Sequence, residues 1–173
     1  MAVNPTWLSL FTEQAVQKNR VTNITVSTST ITIQLEAEGA SHYARPDCQH
    51  PVAVHLHDSE IISVQGLGVQ GRAVRYQVKM QRVAYVNDAG TFVTFTLPLP
   101  GLRTDLSVTE EVVERAMYFL VDRNKSLAAS VELLRELYQV ETSPSALERW
   151  KTAEAEKLPS VGEIVQRLNE KKR

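Results

Sequence analysis

The sequence predicts an α+β protein in which a small antiparallel β module precedes a helix-turn-helix bundle of three or four helices. Residues 1–104 contain short runs rich in Val, Ile and Thr, broken by Gly, Pro, Asn and Asp. Residues 105–173 instead carry apolar residues at helical spacing, with Gly162 as the only glycine. Strands followed by helices are typical of this fold class. We therefore expect two domains, a β module with a short N-terminal helix over 1–104 and a helical module over 105–173.

Composition limits the classes of protein to which the chain can belong. Its 173 residues include 19 basic and 20 acidic side chains, and the resulting net charge of -1 gives by itself no support for a nucleic-acid or membrane-surface partner. No apolar run approaches the ~20 residues of a membrane span, and the start has no signal-peptide pattern. The single cysteine, Cys48, excludes an internal disulfide. We therefore expect a cytoplasmic protein with no membrane partner.

The N-terminal region predicts a helix and then a hairpin. Asn4 is a suitable cap, Pro5 suits a first helical position, and Trp7, Leu8, Phe11 and Ala15 form an apolar face. Ile24 and Val26 then alternate in one phase, and Ile31, Ile33 and Leu35 alternate in the opposite phase. The phase changes across residues 27–30, so we expect a turn there.

The clearest strand lies over residues 72–83, where apolar and polar residues alternate. Gly66, Gly68 and Gly71 predict a loop before it, and Asn87 to Gly90 predict a turn into a last strand over 91–97. The apolar phase is Val74, Tyr76, Val78 and Met80, and the polar phase is Arg75, Gln77, Lys79 and Gln81.

Four helix starts follow, each marked by a serine. Ser107 with Glu110 forms a capping-box pattern, and Ser160 with Glu163 forms another. Ser126 is a suitable cap for a second helix, and Ser143 before Pro144 opens a third.

The spacing of the second and third helices predicts DNA binding. Five residues separate Tyr138 from Pro144, as in a tri-helical helix-turn-helix whose third helix enters the major groove. Arg149 is suited to a guanine edge, and Glu148 to a cytosine amine. The outward positions are Ser143, Ser145, Glu148, Arg149, Lys151 and Thr152. The alternatives are a plain helical bundle with a solvated face, or an interaction module for self-association or partner docking that uses Trp150, Val161, Ile164 and Leu168.

A basic stretch is the second candidate for nucleic-acid contact. Residues 61–87 contain no acidic side chain but include Arg72, Arg75, Lys79 and Arg82. Such a strand is suited to following a phosphate backbone. A solvent-facing side of a two-layer sheet is the alternative.

Metal binding and catalysis have little support in the sequence. The cluster His42, Cys48, His50, His55 and His57 lacks the CxxC or HxxxH spacing of structural zinc sites. His57, Asp58 and Ser59 are adjacent in sequence without a nucleophile elbow. We therefore predict no metal, no cofactor and no enzymatic activity.

The order of these segments resembles the N-terminal region of bacterial insertion-sequence transposases, over about residues 43–157. In that family a zinc ribbon, a basic strand and a helix-turn-helix precede a DDE catalytic domain. Arg45, Pro46, Asp47 and Cys48 stand at the first zinc knuckle, followed by Val52, Val54 and His55. The strand is matched by Gly68, Gly71, Arg72, Arg75, Lys79 and Arg82. The helical match consists of Leu106–Val121, Ser126–Leu137 and then Val140, Ser143, Pro144, Ser145, Arg149 and Trp150.

The resemblance implies DNA binding without catalysis. The second zinc knuckle is expected near Tyr85 and Gly90, and neither is cysteine, so the zinc-ribbon-like module is expected to be metal-free. The chain ends at Arg173, where the catalytic domain begins in the family. The expectation is therefore a truncated or co-opted transposase region that binds double-stranded DNA, with weak and salt-sensitive affinity.

Overall fold

The polypeptide folds around one large mixed sheet. A computed structural model describes residues 13–37, 42–43 (backbone only), 45 and 47–159. The strands are β1 Arg20–Val26, β2 Thr30–Glu36, β3 His42–Tyr43, β4 Val52–Ala53, β5 His55–Val69, β6 Arg72–Val86, β7 Phe92–Thr96, β8 Leu102–Arg103 and β9 Val108–Thr109. The helices are α1 Gln14–Lys18, α2 Glu110–Met117 with a π-helical turn Tyr118–Asp122, α3 Leu127–Tyr138 and α4 Pro144–Ala155.

The predicted fold class, a small antiparallel β module followed by a helical bundle, is wrong. Seven of the described strands form one mixed sheet, accompanied by short helices. The sheet is large because β5 and β6 each contain 15 residues. It is mixed because β2 pairs with β6 in parallel, through a contact between residues more than 40 positions apart in sequence. Local alternation indicates strands but does not indicate which strands pair.

The sheet has the strand order β1-β2-β6-β5-β9-β8. On the edge of β6 opposite β5, β2 pairs with residues 73–79 and β7 pairs with residues 82–86. The short strands β3 and β4 form a separate pair.

The predicted β1–β2 hairpin is confirmed. The strands pair antiparallel from Val26 opposite Ile31, and the Ser27 hydroxyl bonds to the backbone of Thr30 at 3.0 Å. The tight turn accounts for the change of phase, because each strand directs its apolar residues to the same face of the sheet.

The β5–β6 hairpin turns through Gln70 and Gly71, which have φ angles of 52° and 73°. Positive φ at both positions is the requirement of a type I′ turn. The predicted glycine loop is therefore wrong for Gly66 and Gly68, which lie within β5. They are glycines because other groups approach closely: an added Cβ would lie 2.5 Å from the Tyr76 ring at Gly66, and 2.5 Å from the Tyr138 carbonyl oxygen at Gly68.

The alternation predicted for residues 72–83 is confirmed in β6, where Val74, Tyr76 and Val78 are buried and Arg75 and Gln77 are exposed. The predicted turn into β7 is also confirmed, with the Asn87 side chain accepting from the backbone of Ala89 and Thr91. The sheet core consists of Ala15, Val16, Ile31, Ile33, Leu35, Ala37, Val64, Val74, Tyr76, Val78, Val83, Leu97, Leu99 and Leu102.

Two of the predicted helix caps are confirmed. Ser126 and Ser143 accept hydrogen bonds from the amides of Ala129 and Ala146. The prediction at Ser107 is wrong: this residue has a φ of 58°, and Thr109 is the N-cap of α2. The predicted helix from Asn4 and the predicted helix from Ser160 lie outside the described residues, apart from Ala15 in α1.

The helices pack around a second core that is joined to the sheet. Its buried members are Val108, Val112, Val113, Ala116, Phe119, Leu134, Val140, Leu147 and Trp150. Leu67 of β5 packs against this core. The predicted boundary between residues 104 and 105 lies within the loop between the paired strands β8 and β9. Within the part of the chain that the structure describes, no helix has the length and apolar character that crossing a membrane requires.

Candidate nucleic-acid interface

Helix α4 is buried on one side and exposed on the other. Leu147 and Trp150 are 0% and 3% exposed and fix the helix to the second core. The six positions predicted to meet DNA, Ser143, Ser145, Glu148, Arg149, Lys151 and Thr152, are all solvent-exposed. The structure therefore places these side chains where a large partner can reach them.

Part of this exposed face is already engaged within α4. The Lys151 ammonium lies 2.9 Å from the Glu148 carboxylate, and the Thr152 hydroxyl donates to the Glu148 carbonyl at 3.0 Å. Within the described residues, Arg149 makes no ion pair, so its guanidinium is available.

A shallow groove runs beside the exposed face of α4. Its residues come from the start of α3 and from α4, and they combine apolar and charged groups: Leu127, Pro144, Ser145, Glu148, Arg149, Thr152, Ala153 and Glu156. Two carboxylates and one guanidinium lie along it, so the groove itself is not basic.

The turn before α4 is held on the sheet by Gln65. Its side-chain amide donates to the Glu141 carbonyl at 3.0 Å, and its side-chain oxygen accepts from the Glu141 amide at 3.1 Å. Gln139 directs the chain into this turn with a left-handed φ of 55°. The close approach of the Tyr138 carbonyl to Gly68 fixes the end of α3 over the same strand.

The four basic residues predicted for nucleic-acid contact do not share one face of β6. Arg75 and Lys79 point outward with the polar phase, whereas Arg72 and Arg82 belong to the opposite phase. Arg72 donates to the Thr28 carbonyl at 3.3 Å. Arg82 lines a pocket at the far end of the sheet together with Asp58 and Glu60. Only Arg75 and Lys79 are therefore on the outward face.

The C-terminal part of α4 is tied to the β8–β9 hairpin by Arg103. This guanidinium lies 2.8 Å from the Asp105 carboxylate and also pairs with Glu154. The hydrogen bond to Asp105 raises the pKa of Arg103, and the same bond lowers the pKa of Asp105. The ends of α4 are thus fixed at two separate places on the sheet.

The region resembling a zinc knuckle is held by hydrogen bonds. The Tyr85 hydroxyl donates to both carboxylate oxygens of Asp47 at 2.7 and 2.8 Å, and this hydrogen bonding lowers the pKa of Asp47. The Arg45 guanidinium lies 4.1 Å from the centre of the Phe95 ring. Arg45, Asp47 and Gln49 thus contact the β6–β7 hairpin at Phe95, Tyr85 and Asp88.

Of the candidate ligands around Cys48, the His42 side chain lies outside what the structure describes, and the others are not gathered into a site. His50, His55 and His57 are exposed, and Cys48 is half-buried, which raises the pKa of its thiol. Among the described residues, no group of three or more His, Cys, Asp and Glu side chains is arranged to hold a metal ion.

Two residues of this surface were not predicted from the sequence. Gln65 had no local signal, because its role depends on a turn that lies 76 residues away. Arg20 stands outside the basic stretch, yet the β1–β2 register places it opposite Glu36 on the outward face.

Comparison of the chain with protein-family models, with curated proteins and with solved structures gave no match. The resemblance to transposases therefore stays a prediction.

Proposed function

We propose that the protein binds double-stranded DNA by placing the exposed face of α4 in the major groove. The observation that supports this proposal is the arrangement of α4, in which six polar or charged side chains are exposed opposite the buried Leu147 and Trp150. An α-helix fits the major groove and reads base edges with its outward side chains. The resemblance to transposases adds the expectation that the partner is DNA.

The residues of α4 have distinct proposed roles. Ser143 and Ser145, at the helix start, bind a phosphate through their hydroxyl groups together with the Ser145 backbone amide, because Pro144 has no amide hydrogen and the Ala146 amide is bonded to the Ser143 side chain. Arg149 binds the O6 and N7 atoms of a guanine, for which a guanidinium is well suited. Glu148 releases Lys151 and accepts a hydrogen bond from a cytosine amine, and the released Lys151 ammonium binds a phosphate.

The charge of the helical region sets the expected strength of binding. Residues 105–159 include 11 acidic and 7 basic side chains, so long-range attraction to DNA is weak. We therefore expect modest affinity that decreases as salt is raised. This function also fits a cytoplasmic location, which the single cysteine favours.

The first prediction concerns Arg149. Arg149→Ala should weaken binding to random-sequence duplex DNA by roughly tenfold, because a bidentate contact to guanine is worth about 1–3 kcal/mol. Fluorescence anisotropy with a labelled duplex, at low and moderate salt, measures the change.

Arg135→Ala is the matched control, since it removes the same charge from an exposed position of α3. Binding that is absent in the wild type, insensitive to salt, or equally weakened by both variants would contradict DNA binding through α4.

A second candidate function is protein docking in the groove beside α4. The apolar contribution of Leu127, Pro144 and Ala153, together with Glu148 and Glu156, favours a protein partner or a second copy of the chain. Light scattering on the purified protein tests self-association. A dimer that Ala153→Arg converts to monomer would support it, and a wild-type monomer would exclude self-association.

A further inference from the structure

The outward face of the sheet consists of rows of mostly polar side chains across four strands. The register aligns Thr25, Thr32, Arg75 and Gln65 in one row and Asn23, Gln34, Gln77 and Ser63 in the next. A third row contains Arg20, Glu36, Lys79 and Ile61. Residues directly opposite each other on paired strands share a face, so these rows form one surface.

This face is more positive than the chain as a whole. The three rows contain three basic side chains, Arg20, Arg75 and Lys79, and one carboxylate, that of Glu36. Lys79 is paired with Glu36 at 3.0 Å. Arg20 and Arg75 are exposed and make no ion pair within the described part of the chain. Two guanidinium groups are therefore available on a face that otherwise carries amides, hydroxyls, the Lys79–Glu36 ion pair and the exposed Ile61.

The face begins beside the start of α4. Arg75 is directly opposite Gln65, whose side chain is hydrogen-bonded to the backbone of Glu141, two residues before the N-cap Ser143. Opposed side chains have Cβ atoms about 5 Å apart. Arg75 thus lies next to the turn that leads into the proposed DNA-binding helix.

We infer that the outward face of the sheet binds the phosphate backbone of the same duplex that α4 holds, with Arg75 and Arg20 as the phosphate ligands. The inference rests on the proposed function and extends it to a second surface. Guanidinium groups bind phosphate oxygens, and the neighbouring amides and hydroxyls of Gln34, Gln77 and Thr32 are additional donors.

The spacing of the two arginines fits a duplex that extends past α4. Arg20 lies in the row of Lys79, which is four residues from Arg75 along β6, or about 13 Å. Across the sheet, β1 lies two strand spacings from β6, or about 10 Å. Their combined separation of roughly 16 Å corresponds to about five base pairs at a rise of ~3.4 Å. Arg82 is on the other face of β6, so it should not contribute.

The experiment is a salt titration of the full chain with a random-sequence duplex of about 24 base pairs, followed by fluorescence anisotropy. Each of Arg75→Ala and Arg20→Ala should reduce the slope of log K against log salt by about 1, as expected for one lost phosphate contact. Arg82→Ala should leave the slope unchanged, although it removes the same charge from the same strand as Arg75→Ala.

The outcomes separate this inference from the proposed function. If the wild type binds and Arg149→Ala weakens binding, but Arg75→Ala and Arg20→Ala keep the wild-type slope, the inference is overturned while the function stands. Equal effects of Arg75→Ala and Arg82→Ala on the slope would also overturn it, because the effect would then not depend on which face of the sheet loses an arginine. A wild type that does not bind duplex DNA would overturn the proposed function and with it the inference.

Discussion

At the scale of single residues, Glu13 is a carboxyl group buried between the sheet and α2. It is 4% exposed. One oxygen accepts from the Leu67 amide at 2.7 Å and from the Thr109 hydroxyl at 2.9 Å, and the other is hydrogen-bonded to the Tyr76 hydroxyl. Burial raises the pKa of Glu13, and the nearby carboxylate of Glu111 adds to this effect. Folding therefore raises the pKa of this carboxyl, although the hydrogen bonds from Leu67, Tyr76 and Thr109 act in the opposite direction.

Glu13→Gln tests the direction of this pKa shift. Because the pKa is raised by folding, stability from the protonated carboxyl is fully present below the ordinary glutamate pKa of ~4.3 and is lost as pH rises through the higher folded value. The glutamine variant cannot ionise, so the wild type should lose stability relative to it by up to about 1.4 kcal/mol per pH unit across that range. Urea unfolding at a series of pH values measures the difference.

Glu132→Gln, at an exposed position of α3, is the control and should show no such pH dependence. A wild type that gains stability relative to Glu13→Gln as pH rises would show that the fold requires the ionised carboxylate. The result would then contradict the effect of burial proposed for Glu13.

At the scale of elements, Gly68 is the contact point between β5 and the end of α3. A Cβ at this position would lie 2.5 Å from the Tyr138 carbonyl oxygen and 2.9 Å from the Arg72 carbonyl oxygen. Both are backbone atoms, so relief requires movement of a whole element. Gly68→Ala should therefore destabilise the protein by about 1–3 kcal/mol, as expected for overpacking.

Urea unfolding checks the value against Ser63→Ala, a substitution of an exposed residue on the same strand that should change stability by less than about 0.5 kcal/mol. Equal stability of the two variants would show that α3 is not fixed on β5 at this glycine.

The elements that sequence predicts well are those with local signals. The phase change between Val26 and Ile31 locates the first hairpin, and the serines at 126 and 143 locate the starts of α3 and α4. The strand β5 lacks such a signal. Its first half is exposed, so Asp58, Ser59 and Glu60 show no apolar alternation, and the second half contains glycines that suggest a loop.

Sequence-based prediction of the candidate site has the same limit, because it finds only what local patterns determine. The exposed positions of α4 follow from helical periodicity once Leu147 and Trp150 are assigned to the core. The neighbourhood of Arg75 cannot be predicted from periodicity, because it depends on the pairing of β5 with β6 and on the hydrogen bond between Gln65 and Glu141. Arg20 belongs to the face only through the register of β1 with β2 and of β2 with β6. Such long-range register is not encoded in any short segment.

At the scale of the whole molecule, polar contacts join the sheet and its core to the helices at three places within the described residues. The first is Glu13 with Thr109 and Gln14 with Glu111, the second is Gln65 with Glu141, and the third is Arg103 with Glu154. Leu67 of β5 also packs in the helical core. Each contact buries or pairs groups that lose their partners when either part unfolds alone. We therefore expect the described sheet and helices to unfold together.

Trp150 in the helical core allows this expectation to be tested. The chain has two tryptophans, so in a Trp7→Phe background the fluorescence of Trp150 reports on the helices alone. The free energy from its urea transition should equal that from amide hydrogen exchange at Ile33 and Val78 in the sheet core.

The combined variant Gln65→Ala and Arg103→Ala removes two of the three links and should move the Trp150 transition to lower urea while Ile33 and Val78 keep their protection. The control variant Arg82→Ala, in the pocket at the far end of the sheet, should leave the Trp150 transition and the exchange of Ile33 and Val78 at equal free energies. A wild type in which Trp150 is released before the sheet amides exchange would instead favour two independent domains divided near residue 104. The orientation of α4 against the outward sheet face would then vary, and a duplex could not hold both surfaces in one fixed register.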